Sequence, residues 1–154
     1  DGISAAVLVA ELAAQTKHAG RTLLDLLDDL AVTHGLHATD QLSIRVQELA
    51  VIADAMRRLR RNPPPRLADS PVTGTHDFRS GSAGLPPTDA LRFLTADDSR
   101  VIVRPSGTEP KLKCYLEVII DVVDGDVAAA HSKAGNRLAG LRRDIAIALG
   151  HPGE

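Results

Sequence analysis

Arg100-Val101-Ile102-Val103-Arg104-Pro105-Ser106-Gly107-Thr108-Glu109-Pro110-Lys111-Leu112-Lys113-Cys114-Tyr115-Leu116-Glu117-Val118-Ile119-Ile120 decides the fold. Leu112, Cys114, Leu116, Val118 and Ile120 alternate with polar or larger neighbours, the period of a strand with one buried face. Ser99 to Val103 forms a second strand, and Arg104 to Lys111 is the loop between the two. Working backwards, Asp97-Asp98 supplies a hairpin turn. Leu91 and Phe93, with Leu94, belong to the strand before it. Residues 66–88 are loop-rich, with a short strand from Ser70 to Thr73, and Gly81, Ser82, Gly84, Pro86 and Pro87 mark a connection.

Further back, Leu49, Ile52, Ala53, Met56 and Leu59 recur at helical spacing. Asn62 and Pro63-Pro64-Pro65 terminate that helix. Leu42, Ile44 and Val46 predict a half-buried strand over 41–46. Two helices open the chain. The first carries Ile3, Val7, Leu8 and Leu12, with Asp1 and Ser4 as N-terminal partners and Gly20 as its stop. The second is capped by Thr22, carries Leu23, Leu26, Leu27 and Leu30 on one face, and ends at Gly35. Forward of the deciding stretch, Gly125-Asp126 opens a last helix whose core side is Val127, Ala130, Ala134, Leu138, Leu141, Ile145 and Leu149. From residue 36 the order is strand, helix, antiparallel strands, helix. The fold class is α+β: an antiparallel sheet with helices on one face. Residues 1–35 read as the helical remnant of a preceding α/β domain, and residues 36–154 as one further domain. The chain begins at Asp1 and enters helical sequence at once, which predicts a start inside a larger protein.

Composition narrows the function. Of 154 residues 44% are apolar but only 2% aromatic, so the core is aliphatic. A net charge of −2 argues against a general polyanion binder. The single cysteine, Cys114, excludes an intrachain disulfide and a multi-cysteine zinc site, and fits a reducing, cytoplasmic setting. No apolar run approaches the roughly 20 residues that span a bilayer.

The Arg104 loop holds more chemistry than a turn needs. Pro105 fixes one backbone angle on entry. Gly107 permits close approach of another group, and a positive φ if required. Backbone N–H groups of Ser106, Gly107 and Thr108 can converge on an anion. The Ser106 and Thr108 hydroxyls can donate to phosphate oxygens. Arg104 can hold two such oxygens through its planar fork. Lys111 and Lys113 add charge, and Glu109 is read as accepting from Arg104 or from loop N–H groups to hold the loop in shape. A decorated, solvated turn explains the same residues about equally well on physical grounds alone.

The run Val103 to Tyr115 resembles the signature of the last domain of the phosphohexomutases, the phosphoglucomutase and phosphomannomutase superfamily. Asp1-Gly2-Ile3-Ser4-Ala5-Ala6 resembles the start of the closing helix of that family's third domain, and Leu85-Pro86-Pro87-Thr88-Asp89 the approach to its signature strand. The resemblance implies a TATA-binding-protein-like final domain that closes over the phosphate not being transferred, with contacts on Arg104, Ser106, Gly107 and Thr108, supported by Glu109, Lys111 and Lys113. It implies interconversion of hexose 1-phosphate and 6-phosphate by way of a phosphoserine and Mg2+ held by three aspartates. The partners implied are a hexose phosphate and the N-terminal domains of the same protein, with no nucleic acid and no membrane. The Ser-His-Asn-Pro, DGDxDR and G-E-x-S-G-H segments do not occur in these residues. The catalytic serine, the metal site and the choice of sugar therefore lie outside them, and the chain alone is expected to lack mutase activity. The rival reading is a free-standing phosphate-binding or nucleic-acid-interaction α+β module without catalysis.

Other candidates read as structural. The cluster Arg57-Arg58-Leu59-Arg60-Arg61 suits a helix C-terminus, where the dipole favours cations. His34, His37 and His76-Asp77 read as loop or cap residues, Cys114 as a packed strand residue, and Asp121 to Asp126 as a strand-to-helix turn.

Overall fold

The computed structural model describes residues 1–82, 84 and 86–151. Leu85 of the approach segment, and residues 152–154, lie outside the described residues. In chain order the elements are α1 (Gly2–His18), α2 (Leu23–His34), β1 (Leu36–Arg45), α3 (Leu49–Arg61), β2 (Arg66–Leu67), β3 (Ser70–Asp77), β4 (Leu91–Thr95), β5 (Arg100–Pro105), β6 (Lys111–Ile120) and α4 (Val127–Leu149), with a short 3-10 turn at Phe78–Ser80. The six strands form one sheet in the order β1-β6-β5-β4-β3-β2, every pairing antiparallel.

Alternation in β6 drives the layering. Leu112, Cys114, Leu116, Val118 and Ile120 are all buried. Their cross-strand partners continue the same face: Leu42 and Ile44 on β1, Val101 and Val103 on β5. Leu91 and Phe93 extend it across β4. Ile52, Ala55, Met56 and Leu59 of α3, with Ala130, Ala134, Leu141, Ile145 and Leu149 of α4, cover this face. Both helices lie on one side, as the α+β reading expects. Burying a Leu, Ile or Phe side chain is worth about 1.5–3 kcal/mol, so this seam holds the fold.

The arginines at the end of α3 are structural. Arg58 donates from Nη2 to the Leu149 carbonyl (3.1 Å), placing a cation at the C-terminus of α4. Arg60 donates from Nε to Asp77 (3.0 Å) and also pairs with Asp89, and Arg57 pairs with Asp54.

Boundaries differ from the sequence reading where pairing overrides local pattern. β1 starts at Leu36 rather than 41, because the ten residues of β6 pair with it from Leu36↔Ile120 to Arg45↔Lys111. β3 runs on to Asp77 rather than Thr73, past a bulge between Val72 and Gly74, because β4 supplies partners as far as Leu91. β2 is two residues long, too short to leave a period. The first helix ends at His18, with Ala19 as its C-cap, one residue before the expected stop at Gly20.

The N-terminal helices contrast with this core. Thr22 caps α2 through a capping box: its Oγ1 accepts from the Asp25 N–H (3.2 Å), and Asp25 accepts from the Thr22 N–H (2.6 Å). Gly35, at φ 85°, turns the chain from α2 into β1. Sequence reading gave the two helices no sheet to cover, but α2 leans on β1 and α4 and buries Ala31. By contrast α1 packs chiefly on α2 and leaves Ile3, Val7, Leu8 and Val9 exposed. Among the described residues no helix is long and apolar enough to cross a membrane.

Candidate anion-binding loop

Strand β5 delivers Arg104 and Pro105, residues 106–110 turn, and β6 resumes at Lys111. Three backbone hydrogen bonds set the turn. The Ser106 N–H donates to the Lys111 carbonyl (2.8 Å), Lys111 N–H to the Glu109 carbonyl (2.7 Å), and Val46 N–H to the Pro110 carbonyl (3.0 Å). The expected cradle of three N–H groups is therefore reduced to two. Ser106 spends its N–H closing the hairpin, while those of Gly107 and Thr108 have no acceptor among the described residues.

Gly107 does not use the left-handed region. A Cβ built there meets nothing within 4 Å. Neither backbone angle nor internal packing requires glycine, which leaves approach of an outside group as the physical use for it.

Glu109 also departs from expectation. It accepts neither from Arg104 nor from loop N–H groups. Its Oε2 lies 2.6 Å from Lys111 Nζ and its Oε1 3.4 Å from Arg45 Nη2. The hydrogen bond from Lys111, helped by the charge of Arg45, holds this carboxyl below its ordinary range. Arg45 was missed by sequence reading. It ends a strand 64 residues away, and only the register Arg45↔Lys111 brings it to the loop.

On the face of the sheet away from α3 and α4, Arg104 stands opposite Lys113. Like charges directly opposite on adjacent strands are destabilising. Among the described residues neither side chain has an ion-pair partner. Farther along the same face Arg100 pairs with Glu117, and His37 Nδ1 stands 3.9 Å from that carboxylate. Among the described residues the cation pair beside the loop is thus without an acid, although Glu117 on β6 and Glu109 in the loop are each four residues from Lys113 in the sequence. Of the sequence candidates, Arg104 and Lys113 stand opposite each other at the loop end of β5 and β6, Ser106, Gly107 and Thr108 lie in the loop that follows Pro105, and Lys111 is turned to Glu109.

The remaining candidates have other employment. Cys114 is fully buried and burial pushes its thiol up to about 12, so it is no nucleophile at neutral pH. Asp126 caps α4, accepting from the Ala129 N–H (2.9 Å). Asp77 caps the 3-10 turn and binds Arg60 and Arg79. Burial opposes ionisation of Asp77, but hydrogen bonds from the two arginines win and hold it at about 2. Among the described residues no three His, Cys, Asp or Glu side chains converge to hold a metal ion.

Comparison with known proteins agrees with this architecture. Residues 40–131 match the family model for the phosphoglucomutase/phosphomannomutase C-terminal domain. A "probable phosphomannomutase" of Haemophilus influenzae is 39% identical over 145 residues, covering 94% of this chain and 29% of that protein. A phosphoglucomutase of Staphylococcus epidermidis is 30% identical over 138 residues, covering 80% of this chain and 25% of that protein. The chain therefore spans under a third of the length of these relatives. Among solved structures, the Paramecium phosphoglucomutase pp63/parafusin in its open form superposes with a TM-score of 0.54 over 86% of this chain and 24% of that one, at 16% identity. That likeness concerns the fold alone. On the matched span and the 39% identity over nearly its whole length, this chain belongs to the phosphoglucomutase/phosphomannomutase family and carries its C-terminal domain.

Proposed function

We propose that the Arg104–Lys111 loop grips the non-transferring phosphate of a hexose phosphate, as the closing element of a longer protein that interconverts hexose 1-phosphates and 6-phosphates. One observation carries the reading: Arg104 and Lys113 stand opposite each other without an acid, next to two N–H groups without an acceptor. A phosphate dianion supplies what both lack. Arg104 would hold two of its oxygens through the guanidinium fork, Lys113 would add a point charge, and Ser106 and Thr108 would donate hydroxyl hydrogen bonds. Gly107 would let the phosphate approach the backbone.

Such a grip reads charge and tetrahedral shape and makes no demand on the sugar. It can therefore hold the phosphate at either end of the hexose while the other end reacts. Its contribution is binding energy, orientation and exclusion of water when the domain closes against the rest of the protein. The phosphoserine, the Mg2+ that stabilises the transferring phosphoryl group, and the loop that chooses the sugar are assigned to domains outside these residues. The aspartates from 121 to 126 offer no substitute for the metal site, since Asp126 is spent as a helix cap. Residues 1–35 are assigned to the end of a preceding domain, a reading that the exposed apolar side chains of α1 support. The single buried thiol supports a reducing, cytoplasmic setting.

The test is kinetic. In the full-length protein Arg104→Ala should raise KM for the hexose phosphate and lower kcat, while the 154-residue chain alone should show no turnover. Unaltered kinetics in the variant would remove Arg104 from the site. Turnover by the chain alone would overturn the assignment of the chemistry to other domains.

A further inference from the structure

We infer that Arg45 is a positioning residue for the phosphate grip, acting through Glu109 rather than by touching phosphate. The inference rests on the phosphate reading of the loop and adds a residue and a sign that the reading does not contain. A carboxylate inside an anion-binding loop is a puzzle, because by Coulomb's law it repels the ligand. The geometry gives it a different task. Glu109 sits between Lys111 Nζ at 2.6 Å and Arg45 Nη2 at 3.4 Å, so it bridges the first residue of β6 to the last residue of β1.

Two further bonds converge on the same segment. Val46 N–H donates to the Pro110 carbonyl at 3.0 Å, and Lys111 N–H donates to the Glu109 carbonyl at 2.7 Å. The Glu109–Pro110 end of the loop is thus fixed beside the edge strand both by backbone and by side chain. Arg45↔Lys111, like Arg104↔Lys113, sets two cations opposite each other on neighbouring strands. Glu109 pairs with both members of the first and with neither member of the second. The carboxylate therefore sorts the cations of the loop: Lys111 and Arg45 hold shape, and Arg104 and Lys113 are left for the ligand. A loop held in its bound form loses less entropy when the ligand arrives.

The sign of one substitution separates this from simple electrostatics. The experiment is an NMR titration of the 154-residue chain with inorganic phosphate, following the Gly107 and Thr108 amides at constant ionic strength. If Glu109 is only a nearby negative charge, Glu109→Gln tightens phosphate binding. If it positions the loop, Glu109→Gln weakens binding about three- to tenfold, the range expected for losing one exposed bridge and the order it imposes. Arg45→Gln should weaken binding by a similar factor, Arg45→Lys should restore most of it, and the double variant should be no worse than either single one. Tighter binding in Glu109→Gln, or additive losses in the double variant, would overturn the positioning role and leave the phosphate reading standing. No response of either amide in the unaltered chain would sink the phosphate reading, and this inference with it. Unchanged amide positions elsewhere in the spectra separate a local effect from loss of fold.

Discussion

Two successive hairpins of the same sheet, the β4–β5 turn and the β5–β6 loop, solve the same topological problem in opposite ways. In the first, the Thr95 N–H and Oγ1 both donate to the Ser99 carbonyl, each at 3.0 Å, and Asp97 accepts from the Ser99 N–H at 3.3 Å. Arg137 of α4 pairs with Asp97 and donates to Ser99 Oγ at 3.1 Å, locking the turn onto the helix. Most of its hydrogen-bonding groups find partners within the chain. In the second, among the described residues, the N–H groups of Gly107, Thr108 and Glu109 and the two cations Arg104 and Lys113 do not. The turn that largely satisfies itself serves stability, and the loop that does not is the one proposed to take a ligand.

The largest expected effect tests the unsatisfied loop. In the full-length protein Arg104→Ala should lower kcat/KM by about 30- to 150-fold, roughly 2–3 kcal/mol for a lost charge-assisted contact. The stability of the 154-residue chain should stay level or rise by a few tenths of a kcal/mol, since a like-charge pair is removed. Steady-state kinetics and urea unfolding check the two halves. Arg137→Ala should reverse the pattern: about 1–3 kcal/mol less stable in urea, with phosphate affinity unchanged once folded.

A smaller effect sharpens the same contrast. Gly107→Ala should leave unfolding unaltered or slightly raise the midpoint, because the position is open and needs no positive φ. Phosphate affinity should nevertheless fall by roughly 1 kcal/mol, since the new methyl stands where the ligand approaches. A drop in stability with intact affinity would show the glycine to be a structural requirement.

The smallest concerns the exit from β3, a third connection, which uses carboxylates. Asp77 titrates at about 2 in the folded chain, below its ordinary value, through Arg79 and Arg60 against the opposing effect of burial. A depressed carboxyl adds stability above its unfolded pKa and loses it as pH falls through the folded one. Asp77 should therefore contribute a decline in stability between about pH 4 and pH 2, roughly 1 kcal/mol after solvent screening, and Asp77→Asn should make the acid slope shallower by that amount. Unfolding midpoints across that range check it.

What was legible in the sequence follows from range. The period-2 pattern of Leu112 to Ile120 and the periodic apolar residues of α4 are local, and both elements sit where those patterns put them. Long-range partners are not local. Leu36 and Ala38 alternate with His37 and Thr39, but Asp40 breaks the pattern before Leu42, and the pairing with β6 carries the strand across that break. The loop's resemblance to the family signature was readable because the signature is contiguous. Arg45 was not, because its relation to Glu109 exists only after β1 has paired. The arginine cluster of α3 looked like a patch along the chain, yet Arg58 and Arg60 point to different partners, one to a helix end and one to two carboxylates.

The bridge from Arg45 to Glu109 has a consequence for the order of folding. The β4–β5 and β5–β6 hairpins need only short chain closures, whereas β1 must find β6 across a gap of more than sixty residues, the costlier step in chain entropy. Loop residues 106–110 belong by sequence to a local hairpin, but their final shape waits for the most distant pairing in the sheet. A chain whose other strands have already assembled would still lack a finished loop. The amides of Gly107 and Thr108 should therefore be among the last to reach native positions, which makes the loop a clock for completion of the domain.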